Sequence, residues 1–168
     1  MNVTYFRRLF DYTFWAHRQV WECVLLLSDE QFTRPCDYSI GSVHEQVVHT
    51  MAAEWLWSER VRGVSPSALF SSSDYPSREL IRTEWDSVEV GWRDYLSQLH
   101  DEQLAQPLTY TSLNGRTTRQ TLLWEVLAHV VNHGTDHRAQ TLSLIHHVGG
   151  KTLEQDIIFY SWAHTPTD

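Results

Sequence analysis

Two histidines one helical turn apart, His133 and His137, lie within a long apolar helical pattern that runs from residue 118 to about 148. Each residue of an α-helix advances the chain by about 100°, so positions four apart point in nearly the same direction. The apolar residues on this face are Leu123, Val126, Val130, Leu144 and Val148. Two imidazoles on one buried face can share a metal ion, or each can be a core histidine that is hydrogen-bonded to its neighbours. The pattern alone leaves both interpretations open.

The residue after the first of these histidines bears on the class of metal site. The H-E-x-x-H motif of zinc proteases needs a glutamate directly after its first histidine, because that carboxylate acts as the general base. Gly134 occupies this position here. The sequence therefore argues against a metalloprotease.

Composition and charge limit the function classes. The 168 residues are enough to bury the core of a single domain, which is predicted to span residues 1–168. The 8 tryptophans and 10 histidines favour a packed bundle with a pocket. The formal net charge of −8 argues against a nucleic-acid partner.

The sequence also carries expectations about location. No apolar run reaches the roughly 18 residues that a membrane span needs, and the first residues lack an apolar signal core. A cytoplasmic location with no membrane partner is therefore expected. Cys23 and Cys36 lack a C-x-x-C spacing and are predicted to be reduced thiols.

Hydrophobic periodicity predicts four long helices. They cover approximately residues 5–28, 42–62, 76–100 and 118–148. A capping box at Ser42–Glu45 opens the second helix, and a similar pattern at Thr117–Gln120 is predicted to open the fourth. Gly149 and Gly150 are predicted to end that fourth helix.

Two shorter elements are also predicted. Leu108–Tyr110 alternates like a short strand, and Asn114–Gly115 is typical of a hairpin turn. Thr152–Gln155 is predicted to cap a last short helix that contains residues 157–162.

These elements predict an all-α fold. We expect a four-helix bundle with a short hairpin-like segment before the last long helix and a short C-terminal helix. The longest connection, residues 63–75, joins the second and third long helices. A dozen extended residues reach about 40 Å, the length of a helix of this size. The two helices can therefore run parallel, which predicts an up-down-down-up order.

The second long helix supplies a candidate third ligand, His49. It shares a face with Gln46 and Ala53, and Glu45 lies one turn before it. His44 lies about 140° around the helix from His49 and cannot share its direction. His44 is therefore predicted to be a surface or edge histidine.

Several segments resemble the DinB/YfiT-like superfamily, bacterial four-helix bundles named for a damage-inducible member. Tyr12–His17 (YTFWAH) is similar to the Y-x-x-W-A-N pattern of the first helix. Residues 39–49, followed by Glu54, resemble the pattern of the second helix. His129–Gln140 is similar to the H-x-x-N-H-x-x-H-H-R-G-Q pattern, and Asp156–Tyr160 resembles the closing D-hydrophobic-x-Y segment. The resemblance covers essentially the whole chain.

The resemblance implies a metal held by one histidine of the second helix and two of the last long helix. Carried over by position, these ligands are His49, His133 and His137. His129 matches a position that is not normally a ligand. Asp136 and Ala139 stand where the family usually has His and Gly, and His17 stands where it usually has Asn. The resemblance also implies a homodimer, with the first or third long helix as its contact.

Three neutral imidazoles would leave the full charge of a divalent ion in place and one coordination position open, which is the catalytic pattern. Zinc and nickel are the expected metals. Relatives in the superfamily transfer low-molecular-weight thiols, so we expect a metal-dependent thiol S-transferase, or a hydrolase that uses the same activated ligand. The alternative is a non-enzymatic, metal-stabilised stress-response or binding module.

Four further residues surround the predicted ligands. Glu45 and Asp136 are candidate general bases, and Asn132 and Asp136 could orient the ligand imidazoles or simply be solvated. Arg138 could bind a substrate carboxylate, but a solvated cation on the helix surface is the preferred interpretation.

Overall fold

The computed structural model describes residues 2–164 and shows a mostly helical chain with one small sheet. The α-helices are α1 (Val3–Leu25), α2 (Asp29–Thr33), α3 (Val43–Val61), α4 (Arg78–Gln98), α5 (Leu123–His147) and α6 (Ile157–His164). The strands are β1 (Pro107–Thr111) and β2 (Thr118–Leu122). Short 3₁₀ turns lie at Ser72–Asp74 and Asp101–Gln103. The predicted all-α class is therefore right apart from the hairpin, which was also predicted.

Helices α1 and α3 begin where side chains can accept the free backbone N–H groups of the first turn. The side chain of Asn2 accepts from the backbone N–H of Tyr5 at the start of α1. At the start of α3, the predicted capping box of Ser42 and Glu45 is present in both directions. The beginning of the helix that carries His49 is thus fixed by its own sequence.

The predicted start of the histidine helix was wrong. Thr118–Leu122 forms β2, which pairs antiparallel with β1 from Pro107 opposite Leu122 to Thr111 opposite Thr118. The helix begins only at Leu123. The Thr117–Gln120 pattern resembles a capping box, but the hydrogen-bonding partner for this stretch is a strand a few residues upstream. Local spacing cannot distinguish the two outcomes.

The predicted cap of the last helix was also wrong, because α6 begins at Ile157 and Thr152–Gln155 lies outside it. Gln155 has tertiary partners instead. Its side-chain carbonyl accepts from the guanidinium of Arg138, and its backbone carbonyl accepts from the hydroxyl of Tyr12. These two bonds hold the segment before α6 against α1 and α5.

Helix α5 packs against both α1 and α3, while α4 packs mainly against α3 and also contacts α1. The core includes fully buried residues from every long helix, among them Phe6, Met51, Trp92, Leu127 and Ile145. Because α5 is covered on two sides, the residues it directs toward α3 are partly withdrawn from water. Its end at Val148 and Gly149, which has φ of +84°, confirms the predicted glycine stop.

The order in which the helices run stays a prediction. Within the described part of the chain, no helix combines the length and apolar character needed to cross a bilayer.

Candidate metal centre

The three predicted ligands converge between α3 and α5. His49 comes from α3, and His133 and His137 come from adjacent turns of α5. One ring nitrogen from each lies within 4.8 Å of the other two. The ring centroids are 4.1 Å apart for His133 and His137, 4.7 Å for His49 and His137, and 5.7 Å for His49 and His133. These residues are called the three-histidine cluster below.

The cluster is electrically neutral near pH 7. Burial lowers the pKa of His49, and burial together with neighbouring imidazoles lowers the pKa of His137 and, to about 4, that of His133. Withdrawal from water and mutual repulsion both disfavour a protonated ring. Each ring therefore has an unprotonated nitrogen that can coordinate an ion.

The donor set fits a divalent metal ion of borderline softness. Three imidazole nitrogens from two packed helices are a known ligand set for zinc, and imidazole also suits nickel. No cysteine or carboxylate belongs to the cluster among residues 2–164. The three histidines could therefore bind a metal ion and leave at least one position for another ligand.

The ring of His137 contacts the side chain of Gln46, which is completely buried. The side-chain amide of Gln46 lies 2.5 Å from Nδ1 of His137. Ser39 lies beyond it, with its hydroxyl 2.9 Å from Oε1 of Gln46. The sequence placed Gln46 on the same face as His49, but it did not predict the contact with His137, which depends on the packing of α3 on α5.

The residues that were predicted to surround the metal ligands lie in different parts of the fold. Glu45 directs its carboxylate to the backbone N–H and hydroxyl of Ser42, both at 2.8 Å, and so caps α3. Asn132 and Asp136 are exposed on α5, and Asp136 accepts from the amide of Gln140 at 3.0 Å. None of these predicted residues belongs to the three-histidine cluster.

His44 and His129 also lie outside the cluster. His44 is half-buried at the edge of the fold, where its Nε2 donates to the carbonyl of Tyr75 at 2.7 Å. The ring of His129 lies 5.5 Å from that of His133 and 5.2 Å from that of Trp57. Of the two, only His129 therefore extends the row of imidazoles along α5.

Arg138 corrects the preferred prediction of a solvated cation, since only 1% of its surface is exposed. Its Nε donates to Gln155 at 2.5 Å, and one Nη donates to Thr135 at 3.0 Å and to Tyr12 at 3.3 Å. Sequence reasoning placed Arg138 on the surface of the helix. The sequence did not reveal that α1 and the segment before α6 would cover that side as well.

A second group beside α5, missed by sequence reasoning, is the buried charge cluster of His17, Glu54 and Arg138. His17 and Glu54 are 4% and 2% exposed, and Nε2 of His17 donates to Oε1 of Glu54 at 2.6 Å. The indole N–H of Trp85 donates to the other carboxylate oxygen at 2.8 Å. The only signal for His17 and Glu54 was their place in the family resemblance.

The charges in this cluster balance. Burial opposes ionisation of Glu54, but His17, the bond from Trp85 and the charge of Arg138 outweigh it and hold the pKa of Glu54 below its usual value. Burial lowers the pKa of His17 against the opposing pull of Glu54. The anionic carboxylate and the cationic guanidinium are thus compensated inside the protein.

Gly134 separates the two clusters. A Cβ atom at this position would lie 3.2 Å from Nη1 of Arg138 and 3.5 Å from both Oε1 of Glu54 and Nε2 of His17. The absence of a side chain therefore lets the buried charges approach the helix backbone directly beside His133.

The fold and the three-histidine cluster define a helical protein with a candidate divalent-metal site. The model of the DinB family matches residues 1–168, and the chain belongs to that family. Protein DinB of Bacillus subtilis is 23% identical over 158 residues, which cover 91% of each chain. A crystal structure of a DinB-like protein from Bacillus cereus shares the fold, with a TM-score of 0.67 and 18% identity over 91% of this chain and 97% of that one.

Proposed function

We propose that the protein is a metal-dependent enzyme that activates a low-molecular-weight thiol, and that it acts as a thiol S-transferase or as a hydrolase using the same site. The observation that carries the proposal is the convergence of three neutral imidazole nitrogens within 4.8 Å of one another. Three protein ligands leave one position of a tetrahedral site for substrate or water.

A bound divalent ion would supply Lewis acidity, which lowers the pKa of a coordinated thiol or water. His49, His133 and His137 would hold that ion without reducing its charge, because all three are neutral. Their partial burial limits the access of bulk water, which strengthens electrostatic interactions at the site. The same donor chemistry supports zinc or nickel as the metal.

The alternative is a non-enzymatic module that the metal stabilises. It is supported by the origin of the ligands, since an ion bound by His49 and His133 would join α3 to α5. Binding to the folded state alone raises stability, whatever the site does afterwards. The two proposals differ in whether the open position accepts a small ligand.

Cobalt substitution separates them. We expect addition of L-cysteine to change the visible spectrum of the cobalt-loaded protein, because a thiolate replaces water on the ion. L-Serine, which lacks the thiol, should leave the spectrum unchanged. The response should be lost in His137→Ala and retained in His44→Ala, whose imidazole lies outside the cluster.

If the visible spectrum of the cobalt-loaded protein does not change when L-cysteine is added, the transferase proposal is overturned. If chelation then lowers the melting temperature substantially, the module is the better explanation.

We also propose that the long helices run in up-down-down-up order and that the protein forms a homodimer. Exposed apolar side chains on α1 and α4 support a contact there, among them Leu25, Leu80 and Val90, which are 49%, 50% and 67% exposed.

A further inference from the structure

A line of polar side chains runs from the surface of α5 back to His137. The amide nitrogen of Gln140 lies 3.0 Å from Oδ2 of Asp136, and its carbonyl oxygen contacts the hydroxyl of Ser39. That hydroxyl lies 2.9 Å from Oε1 of Gln46, whose amide nitrogen is 2.5 Å from Nδ1 of His137. We call these four residues, Asp136, Gln140, Ser39 and Gln46, the amide relay.

The number of hydrogens in the relay restricts its arrangement. A serine hydroxyl has one hydrogen, yet Ser39 faces the carbonyl oxygens of both Gln46 and Gln140. The oxygen and nitrogen of a glutamine amide have nearly the same shape and are assigned from the bonds they make. One of the two glutamines must therefore present its NH₂ group to Ser39.

The carboxylate of Asp136 determines which of the two glutamine amides must have its oxygen and nitrogen exchanged. An ionised carboxylate only accepts hydrogen bonds, so Gln140 must keep its NH₂ group toward Asp136 and its oxygen toward Ser39. Ser39 then donates to Gln140 and can only accept from Gln46. The carbonyl oxygen of Gln46 consequently faces His137.

We infer that the amide relay holds His137 as the tautomer protonated on Nδ1, which leaves Nε2 as the nitrogen offered to the metal. Its Nδ1–H donates to Oε1 of Gln46, and every contact in the relay then has one donor and one acceptor. The inference rests on the proposed function only for the identity of what Nε2 binds.

The backbone conformation before α3 fixes the position of Ser39. With φ of +54°, it is the one non-glycine residue with positive φ among residues 2–164. Side chains adopt this conformation rarely, because Cβ crowds the backbone. The capping box of Ser42 and Glu45 follows at once and fixes the start of the helix. The turn thereby directs the hydroxyl of Ser39 between the two glutamines.

The position of Gln46 supports the same arrangement from the other side. It precedes His49 by three residues, so the two lie on one face of α3. It is completely buried, where an unpaired amide group is costly. When a metal-binding histidine donates its remaining ring N–H to a fixed acceptor, the ring is held in one orientation and its metal-binding nitrogen becomes more basic.

The tautomer can be read directly by two-bond ¹⁵N–¹H correlation NMR on the metal-free full-length protein at pH 8, with His137 assigned from the His137→Ala spectrum. We expect the wild type to show the Nδ1–H form. Gln46→Glu keeps an acceptor and should keep that form, whereas Gln46→Leu should lose it and bind zinc about 10–100-fold more weakly.

Asp136→Asn tests the direction of the relay at an exposed position that does not endanger folding. Asparagine can donate or accept, so the single tautomer should give way to a mixture. Glu154→Gln, which neutralises an exposed acid outside the relay, should leave the His137 signals unchanged.

An Nε2–H form in the wild type, or an unchanged tautomer in both Asp136→Asn and Gln46→Leu, would overturn the inference. An Nδ1–H form in a protein that does not bind zinc would support the inference and overturn the proposed metal function.

Discussion

The three-histidine cluster and the buried charge cluster lie on either side of Gly134 and use histidine in opposite ways. His17 is almost fully buried and bound to a carboxylate, so its ring is already paired. His133 is half-buried, its ring lies among those of His49, His129 and His137, and its pKa is lowered to about 4 despite the opposing charge of Glu54. Burial depresses the pKa in both cases. The difference lies in the partner, because a histidine that is not hydrogen-bonded to a carboxylate keeps a nitrogen for an incoming cation.

The largest expected effect is on the buried charge cluster. Glu54→Leu should lower the free energy of unfolding by about 3–5 kcal/mol, since it leaves Arg138 uncompensated and removes the acceptor of His17 and Trp85. Chemical denaturation of the metal-free protein measures this. The exposed Glu22→Gln on α1 serves as the control and should change stability by less than about 0.5 kcal/mol. Comparable losses in both variants would contradict the assigned role of Glu54.

The second effect concerns metal binding. His49→Ala, His133→Ala and His137→Ala should each weaken zinc binding by more than the roughly 100-fold expected for loss of an outer-shell partner. Competition with a chromogenic chelator measures the affinity. His146→Ala, which changes an exposed histidine on the last turn of α5, should bind zinc like the wild type. Undiminished binding in the His49 variant would show that α3 does not contribute a ligand.

The third effect concerns the pH dependence of stability. The folded pKa of His133, about 4, lies below its value of 6.5 in the unfolded chain, so the unfolded chain binds the proton first. Stability of the metal-free protein should therefore fall as pH drops from about 6.5 to 4. The lowered pKa of His17 makes the buried charge cluster contribute to the same fall, whereas the pKa of Glu54 is held below 4.5 and its contribution is lost only at lower pH.

Unfolding measured across this range in His133→Asn should give a shallower slope between pH 6.5 and 4 than the wild type. An identical slope would mean that the three-histidine cluster does not carry this pH dependence.

The smallest effect concerns the boundary between the clusters. Gly→Ala within a helix normally stabilises by about 1 kcal/mol. In Gly134→Ala the new methyl would meet Nη1 of Arg138 at 3.2 Å, so that gain should be cancelled or reversed. Thermal unfolding compares it with Ala139→Gly, an exposed change on the same helix that should cost about 1 kcal/mol. A clear stabilisation by Gly134→Ala would show that the buried charged side chains can move away from the new methyl group at little cost in stability.

The pairing of His133 and His137 could be predicted from the sequence because their spacing is local. Helical spacing brings His133 and His137 together, and the resemblance supplied His49. The capping box that opens α3 was equally local and was confirmed. The start of α5 failed because the competing partner of Thr118 is a strand, which helical periodicity does not register.

The missed features depend on contacts between distant parts of the chain. Ser39 and Gln140 are 101 residues apart, and Arg138 reaches Tyr12 across 126 residues. A pattern within one helix shows which side of that helix is apolar, but not which later segment will cover the rest. Arg138 was assigned to the surface for that reason.

The bond between Arg138 and Gln155 has a consequence for the order of events during synthesis. The guanidinium is buried by α1 and by the segment before α6, whose Gln155 follows Arg138 by 17 residues. Translation proceeds at about 5–20 residues per second, so about 1–3 seconds separate the synthesis of Arg138 from that of its acceptor Gln155. Until residue 155 is made, the guanidinium must stay hydrated by water. Closure of the interior around Arg138 is thus a later step than the synthesis of α1 and α5.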